Sequence, residues 1–277
     1  MTMRRRRLLL FLALTPVLIY VAICAAVFAL QDRMVFPVSQ VGAAGPLPQG
    51  ATRIDLIAAT GERLIGLHVP LARASGQEAP PLLLLGFGGN AWNADAMAAY
   101  LHDLYPEAEV VTFHYRGYPP SQGSPSAEAL REDALAIYDW SARRFPGRRI
   151  VAAGFSIGSG VAAWLAAQRP LAGAILVTPF DSLAAAAADH YPWLPVRLLF
   201  RHELAAADYL RASRVPVAIL SGERDTLILP ARAEALRQAA TSLAYTHVVA
   251  GAGHNDLYQR EDFRNAMREA LNTLLRR

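Results

Sequence analysis

The sequence predicts an α/β fold, a doubly wound and mostly parallel sheet preceded by one N-terminal transmembrane helix. Three observations lead there. Short apolar runs alternate with helix-like stretches over most of the chain, the pattern of parallel strands joined by crossover helices. Residues 8–30 carry no charge. A Gly-x-Ser-x-Gly pattern, Gly154 to Gly158, falls where one apolar run gives way to a helix-like stretch.

With 277 residues, of which 53% are hydrophobic, the chain suffices for one sizeable core and is short for two independent domains. All 27 basic residues are arginine, a bias without functional content. The net charge of +4 is matched by Arg4, Arg5, Arg6 and Arg7 alone. The remainder is balanced, which argues against the basic stripe that nucleic-acid binding requires. One cysteine, Cys24, lies within the apolar run, so neither an intrachain disulfide nor a thiolate metal cluster is expected.

Residues 1–7 form a basic N-terminus. The uncharged run 8–30 is 23 residues long, enough helix to cross a hydrocarbon core of roughly 30 Å. Pro16 is tolerated in such a span. Arginines precede the run, so the positive-inside rule places the N-terminus in the cytoplasm and the rest of the chain across the membrane. In a Gram-negative cell the expectation is a single-pass inner-membrane protein with its body on the periplasmic side. A cleaved signal peptide competes, but the run exceeds a usual signal core. Residues 31–50, with Gly42, Gly45, Pro46, Pro48 and Gly50, read as a tether.

The folded domain is expected over 51–277. Runs 52–58 and 63–71 suggest an antiparallel hairpin at a sheet edge. Runs 81–87, 109–115, 149–155, 173–177, 215–220 and 246–249 read as strands buried on both faces. Helices are expected at 94–105, 126–145, 157–168, 230–240 and 260–275. In the second of these, Leu130, Ala134, Ile137, Tyr138 and Ser141 recur at helical spacing after a start at Pro125-Ser126.

Ser156 lies at the centre of Gly154-Phe155-Ser156-Ile157-Gly158. At a strand-to-helix turn this pattern forms a nucleophile elbow, in which Gly154 and Gly158 remove side chains that would clash. A serine hydroxyl needs a base, and the base needs an acceptor that fixes its tautomer. His254 follows the last apolar run, and Asp225 follows the run before it, giving the chain order Ser, Asp, His. Glu223 and Asp256 compete as the acid: the first sits nearer the strand end, and the second is close to His254 along the chain. Oxyanion donors are expected at the N–H of Ile157 and of Asn90, in the loop Gly86-Phe-Gly88-Gly89-Asn90-Ala91.

Several stretches together resemble the α/β-hydrolase superfamily, in particular the serine-aminopeptidase-like hydrolases related to membrane-associated depalmitoylases. Gly88-Gly89-Asn90-Ala91-Trp92-Asn93 is similar to the His-Gly-Asn-Ala-Gly-Asn loop of those relatives. His114-Tyr115-Arg116-Gly117-Tyr118-Pro119-Pro120-Ser121-Gln122-Gly123 is similar to their Asn-Tyr-Arg-Gly-Tyr-Gly-x-Ser-x-Gly. Further matches are Thr178-Pro179-Phe180-Asp181-Ser182, Gly222-Glu223-Arg224-Asp225 and Gly251-Ala252-Gly253-His254-Asn255. Gly88 stands where histidine is usual, and Pro119-Pro120 replaces a glycine-held loop.

The resemblance implies an α/β-hydrolase fold, a triad of Ser156, Asp225 and His254, and a small cap over about 181–212 whose Tyr191 and Trp193 would form an apolar wall. It also implies an ester, thioester or amide of a small acyl or peptide substrate, cleaved through an acyl-enzyme. No metal or organic cofactor is expected. The competing class is a non-catalytic binding or assembly protein on the same fold. Dehalogenase or epoxide hydrolase chemistry would want a carboxylate at Ser156.

Overall fold

The computed structural model describes residues 3–72 and 81–276, so of the basic N-terminus residues 1 and 2 lie outside the described residues. Helix α1 (Met3–Val35) runs straight through Pro16 and is long and apolar enough to cross a membrane. It continues five residues beyond the expected 8–30 span.

The hairpin β1 (Thr52–Ile57) and β2 (Arg63–Val69) opens the domain. The sheet then takes in β3 (Leu82–Phe87), β4 (Ala108–Phe113), β5 (Arg149–Phe155), β6 (Gly173–Val177), β7 (Val217–Gly222) and β8 (Leu243–Val249). Their spatial order is β1-β2-β4-β3-β5-β6-β7-β8. β1, β2 and β4 pair antiparallel, and every pair from β4 onward is parallel. β3 to β7 are buried along their lengths, apart from the first residue of β5, because helices cover both faces. β8 begins three residues before the expected run. It is an edge strand of mixed burial, so its outer half lacks the continuous apolar signal of an inner strand.

Helices α2 (Ala94–Leu104) and α9 (Glu261–Leu275) pack on one face of the sheet, with Met97, Leu101, Phe263 and Met267 in the core. On the other face lie α3 (Ala127–Arg144), α4 (Ile157–Gln168) and, further along the chain, α7 (Ala206–Ala212) and α8 (Pro230–Ala239), through Leu130, Val161, Leu210 and Leu236. Side chains of Asn93 and Ser126 accept hydrogen bonds from first-turn N–H groups of α2 and α3, and Pro230 opens α8. These start signals explain why the helix boundaries were readable. The cap consists of α5 (Leu183–His190), α6 (Val196–Leu199) and α7.

The tether expectation for 31–50 is corrected at its start. Gln31 is 4% exposed and Phe36 is 3% exposed, and Phe36 joins the core on the α4 face. The Gln31 amide donates to the Leu199 carbonyl at 3.1 Å and accepts from the Arg201 N–H at 2.8 Å. Asp32 meets Arg201 and His202, each at 2.7 Å. The end of α1 is thus fastened to the cap. The polar groups of Gln31 and Asp32 are satisfied by protein.

Candidate active site

β5 ends at Phe155 and α4 begins at Ile157, which leaves Ser156 alone in the turn with φ 52° and ψ −119°. This left-handed strain is held from both sides. A Cβ on Gly158 would stand 2.1 Å from the Phe87 carbonyl oxygen, and one on Gly154 would stand 2.2 Å from that of Gly158. Both glycines are therefore steric necessities of the elbow. The Ser156 N–H donates to Val177 O at 2.9 Å, tying the turn to β6. The Ile157 N–H opens α4, where the first amides have no intrahelical acceptor.

Loops at the carboxyl ends of β7 and β8 bring the other two groups. His254 Nδ1 lies 2.7 Å from Asp225 Oδ2, and His254 Nε2 lies 3.0 Å from Ser156 Oγ. With Nδ1–H given to the carboxylate, Nε2 is free to accept from the serine hydroxyl. Asp225 is 3% exposed. Its other oxygen accepts the N–H groups of Leu227 and Ile228 at 2.9 and 2.8 Å, so the carboxylate is aimed by its own loop. The two competing acids are engaged elsewhere. Glu223 accepts from the Gly251 N–H and Asp256 from the Gly253 N–H, each at 2.7 Å, and both brace the backbone that carries His254.

The loop after β3 lies beside the serine: a Cβ on Gly89 would be 3.6 Å from that of Ser156. Two tyrosines hold this loop by its carbonyls. Tyr115 donates to Gly88 O and Tyr118 to Asn90 O, both at 2.8 Å. Burial raises both phenol pKa values well above the ordinary tyrosine value, so they remain donors. The Asn90 side chain in turn donates to Val35 O of α1 at 3.3 Å. These braces were missed in the sequence. The tyrosines were quoted as part of a motif, but their targets lie about 27 residues away.

A cavity of about 1030 Å³, including its open mouth, leads away from Ser156, Ile157 and Asn90. Its wall is mostly apolar and comes from three sources: the cap (Leu183, Tyr191, Leu194, Leu199), the loop after Asp225 (Leu227, Ile228) and the end of α1 (Val27, Phe28, Gln31, Met34, Val35). Trp193, expected in this wall, lies outside it and is exposed. The contribution of α1 was not foreseen, although Gln31 after an uninterrupted apolar run was a visible signal. His190 Nε2 donates to Leu227 O at 2.7 Å and joins the cap to the acid loop. Among the described residues, no cluster of His, Cys, Asp or Glu is placed to hold a metal ion.

A doubly wound sheet with a strained serine at a strand-to-helix turn defines the α/β-hydrolase class. The family model for the α/β-hydrolase fold matches residues 80–207. An uncharacterized protein of Mycobacterium tuberculosis is 34% identical over 255 residues, covering 87% of this chain and 88% of that protein. The chain belongs to the α/β-hydrolase superfamily, and it is a hydrolase by that family. A lysophosphatidylserine lipase of Danio rerio is 34% identical over 137 residues, 43% of this chain and 36% of that protein. Among solved structures, an esterase of Pyrococcus furiosus superposes with a TM-score of 0.66 at 16% identity, over 84% of this chain and 95% of that one. At that identity the likeness concerns the fold.

Proposed function

We propose that this chain is a membrane-anchored serine hydrolase that cleaves a long-chain acyl ester through an acyl-enzyme. The observation that carries the reading is the continuous hydrogen-bonded line from Asp225 through His254 to Ser156 Oγ, at 2.7 and 3.0 Å, at the inner end of an apolar cavity. Ser156 Oγ attacks the acyl carbonyl carbon while His254 Nε2 takes its proton. Asp225 holds the imidazolium that forms. The N–H groups of Ile157 and Asn90 receive the oxyanion. His254 then gives the proton to the departing alcohol, and water, activated by the same imidazole, releases the fatty acid.

The substrate class follows from the wall chemistry. An acyl chain loses contact with water along the cavity, at about 0.8 kcal/mol per buried methylene, whereas a charged peptide would meet few partners there. The partial similarity to a lysophosphatidylserine lipase points the same way. Helix α1 is the anchor, spanning 8–30 with residues 1–7 in the cytoplasm and the catalytic domain on the opposite, periplasmic side.

The test is fluorophosphonate labelling of the full chain in detergent, beside folded Ser156→Ala and His254→Ala variants. Labelling of the wild type, lost in Ser156→Ala and strongly reduced in His254→Ala, is expected. A well-folded wild type that does not label would overturn the hydrolase reading in favour of a binding protein. Ester hydrolysis is expected to rise with acyl length until the cavity is filled.

A further inference from the structure

Helix α1 is fastened to the cap from Tyr20 to the end of its apolar run and just beyond it. Its fastenings run from Asp32 and Gln31, through Phe28 with the Arg201 guanidinium 4.7 Å above its ring, to Tyr20, whose hydroxyl donates to Trp193 O at 2.9 Å. Tyr20 lies ten positions before Leu30, about 15 Å along the helix axis. Below Tyr20 the apolar run has only residues 8–19, about 18 Å of helix, which cannot cross a hydrocarbon core of roughly 30 Å. A spanning α1 must therefore hold Tyr20 inside the membrane. The cap loop that Tyr20 touches is carried in with it, on the order of 10 Å below the boundary.

The loop has the surface such a position demands. Segment 191–200 reads Tyr-Pro-Trp-Leu-Pro-Val-Arg-Leu-Leu-Phe, with one charge. Trp193 is 53% exposed and Leu198 is 83% exposed, and neither lines the cavity. Arg197 can reach up to the headgroups along its aliphatic stem. Arg201 already sits beside Phe28 and Asp32, the level at which the apolar run ends. Tyr191 and Leu194 belong both to this segment and to the cavity wall.

We propose that cap segment 191–200 is a second membrane-inserting element, with Trp193 and Leu198 in the hydrocarbon of the leaflet on the catalytic side, so that the cavity opens to lipid chains in that leaflet. The proposal rests on the reading of α1 as a transmembrane span and deepens it: the substrate is a lipid already resident in the bilayer.

The experiment places the full chain in phosphatidylcholine vesicles with brominated acyl chains. Trp193 is one of four tryptophans, and the other three, Trp92, Trp140 and Trp164, lie in the body of the domain. Quenching of wild-type emission is expected, with most of it lost in Trp193→Phe. Equal quenching of the two proteins, or none in either, overturns the proposal. In a Cys24→Ser background, the Leu198→Cys variant should react with a charged maleimide in detergent and be protected in vesicles; reaction at the same rate in both overturns it. Alkaline carbonate separates the two readings. A chain stripped from the vesicles refutes the anchor and the insertion together, whereas a chain that is retained with Trp193 unquenched refutes the insertion alone.

Discussion

At the scale of single residues, the site depends on positions where one atom more or less decides the geometry. Gly158→Ala would drive a methyl into the Phe87 carbonyl, which is backbone and cannot swing away. The expected outcome is a loss of stability of about 1–3 kcal/mol, read as a lower thermal midpoint, together with loss of fluorophosphonate labelling. Tyr118→Phe is subtler. It removes the donor to Asn90 O and leaves a carbonyl of the candidate oxyanion loop unpaired, at about 1–3 kcal/mol. Ester turnover should fall roughly tenfold with KM little changed, as expected when an interaction made mainly in the transition state is loosened. Unchanged kcat in a folded variant would show that the tyrosine is not a positioning residue.

At the scale of elements, buried charge fixes how β1, α2 and the end of β4 fit together. Arg53 gives both terminal nitrogens to Asp95, at 2.6 and 2.8 Å, and His114 Nε2 lies 3.2 Å from the same carboxylate. Burial pulls the His114 pKa below the ordinary histidine value, and the attraction of Asp95 offsets only part of this. A histidine whose folded pKa is depressed stays neutral in the native state while the unfolded chain takes up the proton. Its contribution to stability is thus intact above about pH 6.5 and declines as the pH falls toward the folded pKa, by at most about 1.4 kcal/mol per unit. His114→Asn, the residue usual in the resembling family, should flatten the stability profile between pH 7.5 and 5.5 in denaturant titrations. A slope equal to that of the wild type would refute the assignment.

Arg116 is the second such group, with Nη2 and Nε 2.5 and 3.2 Å from the two oxygens of the buried Asp133 on α3. Burial raises the Asp133 pKa even against this partner. Arg116→Leu should cost about 3–5 kcal/mol in the stability of the domain, and Arg116→Leu/Asp133→Leu should recover much of it.

At the scale of the whole molecule, helix α1 and the α/β domain are one object. Because α1 supplies a wall of the cavity, a change on this helix should alter substrate choice. Val27→Trp, at the wall but on a different element from Ser156, should raise KM for long-chain esters while short-chain turnover stays near wild type. Equal effects on both chain lengths would argue against an acyl cavity bounded by α1.

The sequence by itself determined what is local or periodic. The apolar run 8–30 announces a helix of membrane length. The continuous apolar runs of β3 to β7 announce buried parallel strands, and Pro125-Ser126 marks where α3 starts. The candidate site of Ser156, Asp225 and His254 could be named from the chain because a strand-to-helix elbow needs glycine at fixed offsets and because loops at the carboxyl ends of strands meet above the sheet. Only the tertiary structure decided what depends on distant partners. It gave Glu223 and Asp256 to backbone amides and set Asp225 against His254. It turned Tyr115 and Tyr118 into braces for the loop at Asn90, and it fastened Gln31, Asp32 and Tyr20 to the cap instead of leaving a tether. Spacing along the chain carries no trace of the tyrosine and α1 contacts, since hydrogen-bond partners 27 to 173 residues apart are set by how sheet, cap and helix α1 pack together.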